Sequence, residues 1–263
     1  MQKTVLITGA TDGIGLLTAG KIVEQGHHVL LHGRSPEKLE KVKAELSSIG
    51  NIETYIADLS DLNVVRSFAQ EIKDNHNSLD VLINNAGVLK APNPTTANGL
   101  DIRFVVNTIA PYLLTKELLP LLGNNGRVVN LSSAAQAPVD IDALAGKKTG
   151  LDDMDAYSQS KLAITMWTSY MAQSLGDNGP AIIAVNPGSL LASKMVKEGF
   201  GIPGKDIGIG ADILIQAAFS DEFADASGKY FDNDSGQFAP PHIAGQDAQK
   251  CEAVVNAIEE IIA

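Results

Sequence analysis

A chain of 263 residues is long enough to bury one large α/β core, and its 44% apolar and 19% charged residues exclude both a disordered polymer and a membrane-embedded protein. The formal net charge of −11 repels phosphate backbones, Lys147 and Lys148 make no basic patch, and no nucleic-acid partner is expected. Cys251 has no partner for an internal disulfide, and of His27, His28, His32, His76 and His242 the first three flank or occupy one apparent strand, so no metal site is expected.

A strand pattern begins at Thr4, and no apolar run approaches the roughly 20 residues that cross a bilayer, which predicts no signal peptide, no membrane insertion and a cytoplasmic location. Strand-like runs rich in Val, Ile and Leu recur at residues 4–8, 28–32, 52–57, 81–84, 127–131 and 181–186. Between them lie helical patterns at 14–25, 36–48, 62–73, 100–122 and 156–175, with Ser35 as an N-cap before Pro36. This alternation predicts an α/β fold, a doubly wound parallel sheet with helices on both faces and right-handed connections. No repeat or polar linker divides residues 1–263, so a single domain is expected, with surface loops at 92–99 and 189–210. The C-terminal helix, within 246–263, places Val254, Val255, Ile258, Ile261 and Ile262 on one face. That face packs on the body of the protein or forms a homo-oligomer interface.

The first strand runs into Thr8-Gly9-Ala10-Thr11-Asp12-Gly13-Ile14-Gly15 and then a helix, the context of a dinucleotide-binding turn. Glycines let backbone N–H groups approach a pyrophosphate, and the helix presents its positive end to the anion. At the end of the second strand an acidic residue would bond ribose hydroxyls and repel a 2′-phosphate. Gly33 supplies no carboxylate there, and Arg34 offers a charged fork suited to phosphate, which favours NADP(H) over NAD(H). Asp12 weighs against this, and Arg34 solvating a loop is the bland alternative. Tyr157 and Lys161 stand four apart on a helical pattern, so both reach one small site. An ammonium near a phenol stabilises the phenolate and lowers its pKa, as a proton-transfer pair requires.

The glycine spacing, followed in order by Asp58-Leu59, Asn84-Asn85-Ala86-Gly87, Asn107, Ser132-Ser133, Tyr157-Ser158-Gln159-Ser160-Lys161 and Pro187-Gly188, resembles the short-chain dehydrogenase/reductase family over residues 4–235. The resemblance implies a Rossmann-type domain that transfers hydride between NADP(H) and an alcohol/carbonyl pair, with a small-molecule substrate. Gly9, Thr11, Asp12, Gly13, Ile14 and Gly15 would then cradle the cofactor, with Asp58 bonding the adenine amino group and Leu59 near its ring. Asn85, Ala86 and Gly87 would line the adenosine ribose, and Pro187-Gly188 would also bind the cofactor. Tyr157 would be the general acid/base, Lys161 would hold the nicotinamide ribose, Ser133 rather than Ser132 would orient the substrate oxygen, and Asn107 would hold a water leading from the lysine.

The stretch from Ser133 to Tyr157 is longer than in the shorter family members, with an excess at 139–152. Together with Leu113 to Leu122 it resembles the retinol-dehydrogenase-like enzymes and bacterial ketoreductases, whose substrates are often bulky and apolar. The excess either lines the cleft or faces solvent. Leu190, Leu191, Met195, Val196 and Phe200 make residues 189–210 a candidate apolar lid. Two other functions stay open: an NADP-binding redox sensor or scaffold without turnover, and a sugar-nucleotide epimerase. The second would normally need more chain after Gly188.

Overall fold

Strand registers explain how the core is divided. The computed structural model describes residues 1–263. In β1 (Thr4–Ile7), Val5 and Ile7 point to one face of the sheet and Leu6 to the other, as the two-residue period of a strand requires. Each face carries its own apolar layer, so near-continuous hydrophobic strands are buried on both sides.

From the N-terminus the elements are β1, α1 (Gly13–Glu24), β2 (His28–Gly33), α2 (Pro36–Leu46), β3 (Ile52–Ile56), α3 (Leu62–Asn75) and β4 (Val81–Asn84). Then come α4 (Ile102–Phe104), a π-helical turn at Val105–Ile109, α5 (Ala110–Leu122), β5 (Arg127–Leu131), α6 (Ile141–Leu144), α7 (Asp153–Leu175) and β6 (Ala181–Asn186). The chain ends with α8 (Lys194–Phe200), α9 (Gly208–Phe219), β7 (Tyr230–Asp232), β8 (Gln237–Ala239) and α10 (Ala248–Ile262). The eight strands form one sheet in the order β3-β2-β1-β4-β5-β6-β7-β8, parallel except for β8. The winding direction reverses between β1 and β4, and the crevice beyond those strand ends is where open α/β sheets take ligands.

The six expected strands are present, and two short ones, β7 and β8, extend the sheet beyond expectation. The single helix expected at 100–122 is interrupted by the π-turn. Pro111 has no N–H to donate to the carbonyl of Asn107 four residues earlier, so the α-helical ladder breaks at this point. Residues 189–210 are not all loop, since Ser193 caps α8 by accepting the Val196 N–H at 3.3 Å. The C-terminal apolar face packs within the chain against α7, and Glu259 ties α10 to Tyr112 at 2.5 Å and to Lys116 at 2.6 Å. No helix is long and apolar enough to cross a membrane.

Candidate active site

Two turns meet at the reversal point. Gly9 and Gly13 have φ of +66° and +57°, a region that disfavours side chains. Asp12 caps α1 by accepting the Gly13 N–H at 2.8 Å, and it lies 3.5 Å from Lys38 Nζ. Its charge is therefore shared between a helix start and a cation. Asn85 donates its amide to the carbonyls of Thr8 at 2.8 Å and Gly9 at 3.0 Å, while the Thr8 hydroxyl accepts from the N–H groups of Asn85 and Ala86. The side chain of Asn85 thus locks the glycine-rich turn, and exposed Gly87 is the member of its turn that faces the helical stretches carrying Asn107 and Lys161.

His32 supports the turn from beneath. It is 3% exposed, its Nδ1 accepts the Gly9 N–H at 3.1 Å, and its Nε2 lies 3.0 Å from the Ala57 carbonyl. These contacts require a neutral ring protonated at Nε2, and burial pushes its pKa down to about 4. The folded chain therefore binds fewer protons than the unfolded chain between pH 4 and 6.5. Stability from this group is complete above pH 6.5 and is lost as the pH falls toward 4, by about 3 kcal/mol in all. Urea titrations at pH 7 and pH 4 should show a smaller acid loss in His32→Gln than in the parent. Equal losses would mean that His32 does not titrate in this way.

At the end of β2, a Cβ on Gly33 would stand 2.5 Å from Thr11 Cγ2, so any side chain there would require Thr11 to move. Arg34 is exposed and makes no ion pair, and Lys38 lies exposed on the first turn of α2. Asp58 is exposed with Oδ1 accepting from Ser60, whereas Leu59 is 5% exposed and belongs to the core.

The second half of the site lies at the ends of β5 and β6. Lys161 is 4% exposed, donates to the Leu131 carbonyl at 2.7 Å, and lies 5.6 Å from the Tyr157 ring centroid. Burial lowers its pKa to about 8, so it is mostly cationic at pH 7. Burial also raises the Tyr157 phenol above its ordinary value, while the Ser133 hydroxyl beside it pulls the other way. The expected lowering by Lys161 is absent in the chain alone, where burial dominates and only the Ser133 hydroxyl opposes it. At neutral pH the phenol holds its proton.

The adjacent serines divide cleanly. Ser132 is 3% exposed and its hydroxyl is bound to the Lys161 carbonyl at 3.0 Å and Thr165 at 2.7 Å. Ser133 keeps its hydroxyl by Tyr157, and its carbonyl accepts from Tyr230 at 3.2 Å and Gln136 at 3.0 Å. Asn107, 1% exposed, accepts the Val88 N–H at 2.8 Å and donates to the Val88 carbonyl at 2.9 Å and to Ser160 at 3.0 Å. Both of its amide hydrogens and one lone pair of Oδ1 are used by protein, and its main-chain carbonyl is the one that Pro111 cannot pair.

A Cβ built on Gly87 would lie 3.5 Å from Asn107 Oδ1 and 3.6 Å from both Lys161 Nζ and Met195 Cε. One on Gly13 would lie 3.9 Å from Ser193 Cβ and from Ile207 Cδ1. The 189–210 segment therefore arches from the glycine-rich turn to the lysine. Beneath it, the Pro187-Gly188 turn is held by Asn186, which donates to Asp232 at 2.7 Å and Asp234 at 2.9 Å, and by Asn233, which donates to the Pro187 carbonyl at 2.9 Å. The excess residues 139–152 are anchored rather than loose, since Ala143 and Leu144 are buried and Asp140 N–H donates to Gln159 at 2.9 Å. Sequence reasoning missed His32, Lys38, Ser160 and the β7–β8 hairpin. The hairpin had a signal, because Asn233-Asp234-Ser235-Gly236 is turn chemistry between two short apolar runs.

Residues 3–200 match the profile of the short chain dehydrogenase family. The chain belongs to that family and is an oxidoreductase. Human retinol dehydrogenase 13 is 33% identical over 251 residues, covering 88% of this chain and 76% of that protein. Among solved structures, a protein of Mycobacterium paratuberculosis superposes with a TM-score of 0.83 at 29% identity, covering 99% of this chain and 93% of that one. A metagenomic short-chain oxidoreductase in complex with NADP superposes at 0.64 with 28% identity, covering 82% and 90%.

Proposed function

We propose that this chain is an NADP(H)-dependent reductase of apolar ketones or aldehydes, with Tyr157 as the proton donor. The observation that carries the reading is the convergence of Lys161 and Asn107 on Gly87, with Tyr157 and Ser133 at the next strand end. In this reading the glycine-rich turn holds the pyrophosphate on the N-terminus of α1, and Arg34 and Lys38 hold the 2′-phosphate. Lys161 holds the nicotinamide ribose, and residues 189–210 cover the reacting end with apolar side chains.

Bound at this site, the nicotinamide supplies the hydride that reduces the carbonyl carbon. The Ser133 hydroxyl donates to the carbonyl oxygen and orients it, and the Tyr157 hydroxyl delivers its proton to that oxygen as charge develops. Oxidation of the alcohol is the reverse path. A phenol that remains protonated at neutral pH suits the reducing direction. The lone buried thiol of Cys251 fits a reducing compartment such as the cytoplasm.

The test is fluorescence titration with NADPH and NADH, followed by turnover on a panel of aliphatic aldehydes and aromatic ketones. NADPH should bind more tightly, and Arg34→Ala should cost NADPH alone about 1.5 to 3 kcal/mol by removing a charge-assisted phosphate contact. Equal affinities in the parent would refute the 2′-phosphate assignment. Tight binding without turnover on any carbonyl would favour a sensor or scaffold.

A further inference from the structure

A guanidinium is costly to take out of water, and Arg103 is 1% exposed, so its surroundings must offset a large desolvation penalty. Two carboxylates do so. Asp101 accepts Nε at 2.8 Å and Nη2 at 2.5 Å as a fork, and the Asp153 carboxylate accepts Nη1. Asp101 also caps α4 by accepting the Arg103 N–H at 2.9 Å, so the fork is built into the start of the helical stretch that leads to Asn107.

Asp153 is the first residue of α7 and stands one turn before Tyr157. A second set of bonds joins the same two helical stretches just beyond Tyr157. Asn107 donates to Ser160 Oγ at 3.0 Å, the Thr108 hydroxyl donates to the Ser160 carbonyl at 2.7 Å, and Ser160 Oγ donates to the Tyr157 carbonyl at 2.6 Å. Tyr157 is therefore bracketed along α7 by two cross-links to the segment that carries Asn107. On the Arg103 side packing is incomplete, because a cavity of about 60 Å³ opens between Asp101, Arg103, Thr149 and Leu151. The cavity stops short of α7, whose first turn is held by buried Ala156 and by the directional ion pair from Asp153.

We infer that Arg103 is a positioning residue, whose buried ion pair with Asp153 holds the first turn of α7 against the Asn107 segment and so sets where the Tyr157 hydroxyl stands relative to Ser133. The inference rests on the reading of Tyr157 as proton donor.

Asp153 has a side chain 46% exposed, so Asp153→Asn leaves no buried charge on its own side and should fold. Arg103→Lys keeps the cation and removes the fork. Both variants, with Tyr157→Phe in parallel, are to be measured in single-turnover oxidation of NADPH with the aldehyde that the parent reduces fastest in a series from hexanal to decanal. Displacing a proton donor by a fraction of an ångström costs about tenfold or more in rate, so both variants should fall by about tenfold while NADPH affinity stays within about twofold. A purely structural role would lower the melting temperature and leave the single-turnover rate of the folded protein at the parental value. An inactive Tyr157→Phe beside parental rates in Asp153→Asn and Arg103→Lys would overturn the positioning role alone. A parental rate in Tyr157→Phe would overturn both the role and the reading beneath it. Should Arg103→Lys fail to fold, Asp153→Asn decides.

Discussion

Replacing Tyr157 by Phe is expected to reduce carbonyl turnover by about 10² to 10⁴ and leave NADPH affinity within about twofold, the pattern of a lost general acid. The ring keeps its volume in the groove and only the hydroxyl disappears, so the half of the site around Gly9, Gly13 and Asn85 is untouched. Lys161→Met should behave differently. It removes a cation that is 4% exposed, lies beside Gly87 and is assigned to the cofactor ribose, so turnover and NADPH affinity should fall together. Steady-state kinetics at pH 7 with parallel fluorescence titrations separate the two. If Tyr157→Phe keeps near-parental turnover where chemistry limits the rate, Tyr157 is not the proton donor.

Gly15→Ala should abolish tight cofactor binding although alanine is the better helix former. In an unobstructed helix the change would stabilise by about 1 kcal/mol. Here the added Cβ would stand 2.5 Å from the Gly9 carbonyl oxygen and against the Asn85 amide, which bonds both Thr8 and Gly9. Overpacking of this kind costs about 1 to 3 kcal/mol and outweighs the gain in propensity. Relief requires Asn85 or the turn to move, and either change separates the two loops that form the groove. The expected result is a lower urea midpoint together with at least about a tenfold loss of NADPH affinity. A parental dissociation constant would show that the turn does not hold the cofactor.

The parts of the fold that were legible are those with one dominant local signal. Near-continuous Val, Ile and Leu runs marked β4, β5 and β6 to the residue, because strands buried on both faces carry apolar residues at most positions. Ser35-Pro36 marked the start of α2 because an N-cap and a proline at the first helical position act locally. Where tertiary contacts decide, sequence pattern was insufficient. The helical stretch carrying Asn107 is largely apolar, so its periodicity runs through the π-turn, and only Pro111 hints at the break. The roles of His32 and Asn85 are set by partners distant in sequence, 23 and 76 or more residues away. The bonding of Ser132 to Lys161 and Thr165, which leaves Ser133 beside Tyr157, likewise needs β5 packed on α7. The same holds for Lys38, which the fold brings within 3.5 Å of Asp12, 26 residues away.

Hydride transfer by this chain is tested most directly with NADPH carrying deuterium at the transferable position of the nicotinamide. After reaction with the aldehyde or ketone turned over fastest, mass spectrometry of the alcohol should find one deuterium on the former carbonyl carbon when the transferable face is labelled and none when the opposite face is. In D₂O with unlabelled NADPH, the former carbonyl carbon should carry no label, since the solvent-derived proton passes through Tyr157 to oxygen and exchanges. An alcohol without deuterium from either labelled face, or deuterium from D₂O on the former carbonyl carbon itself, would contradict direct hydride transfer at this site.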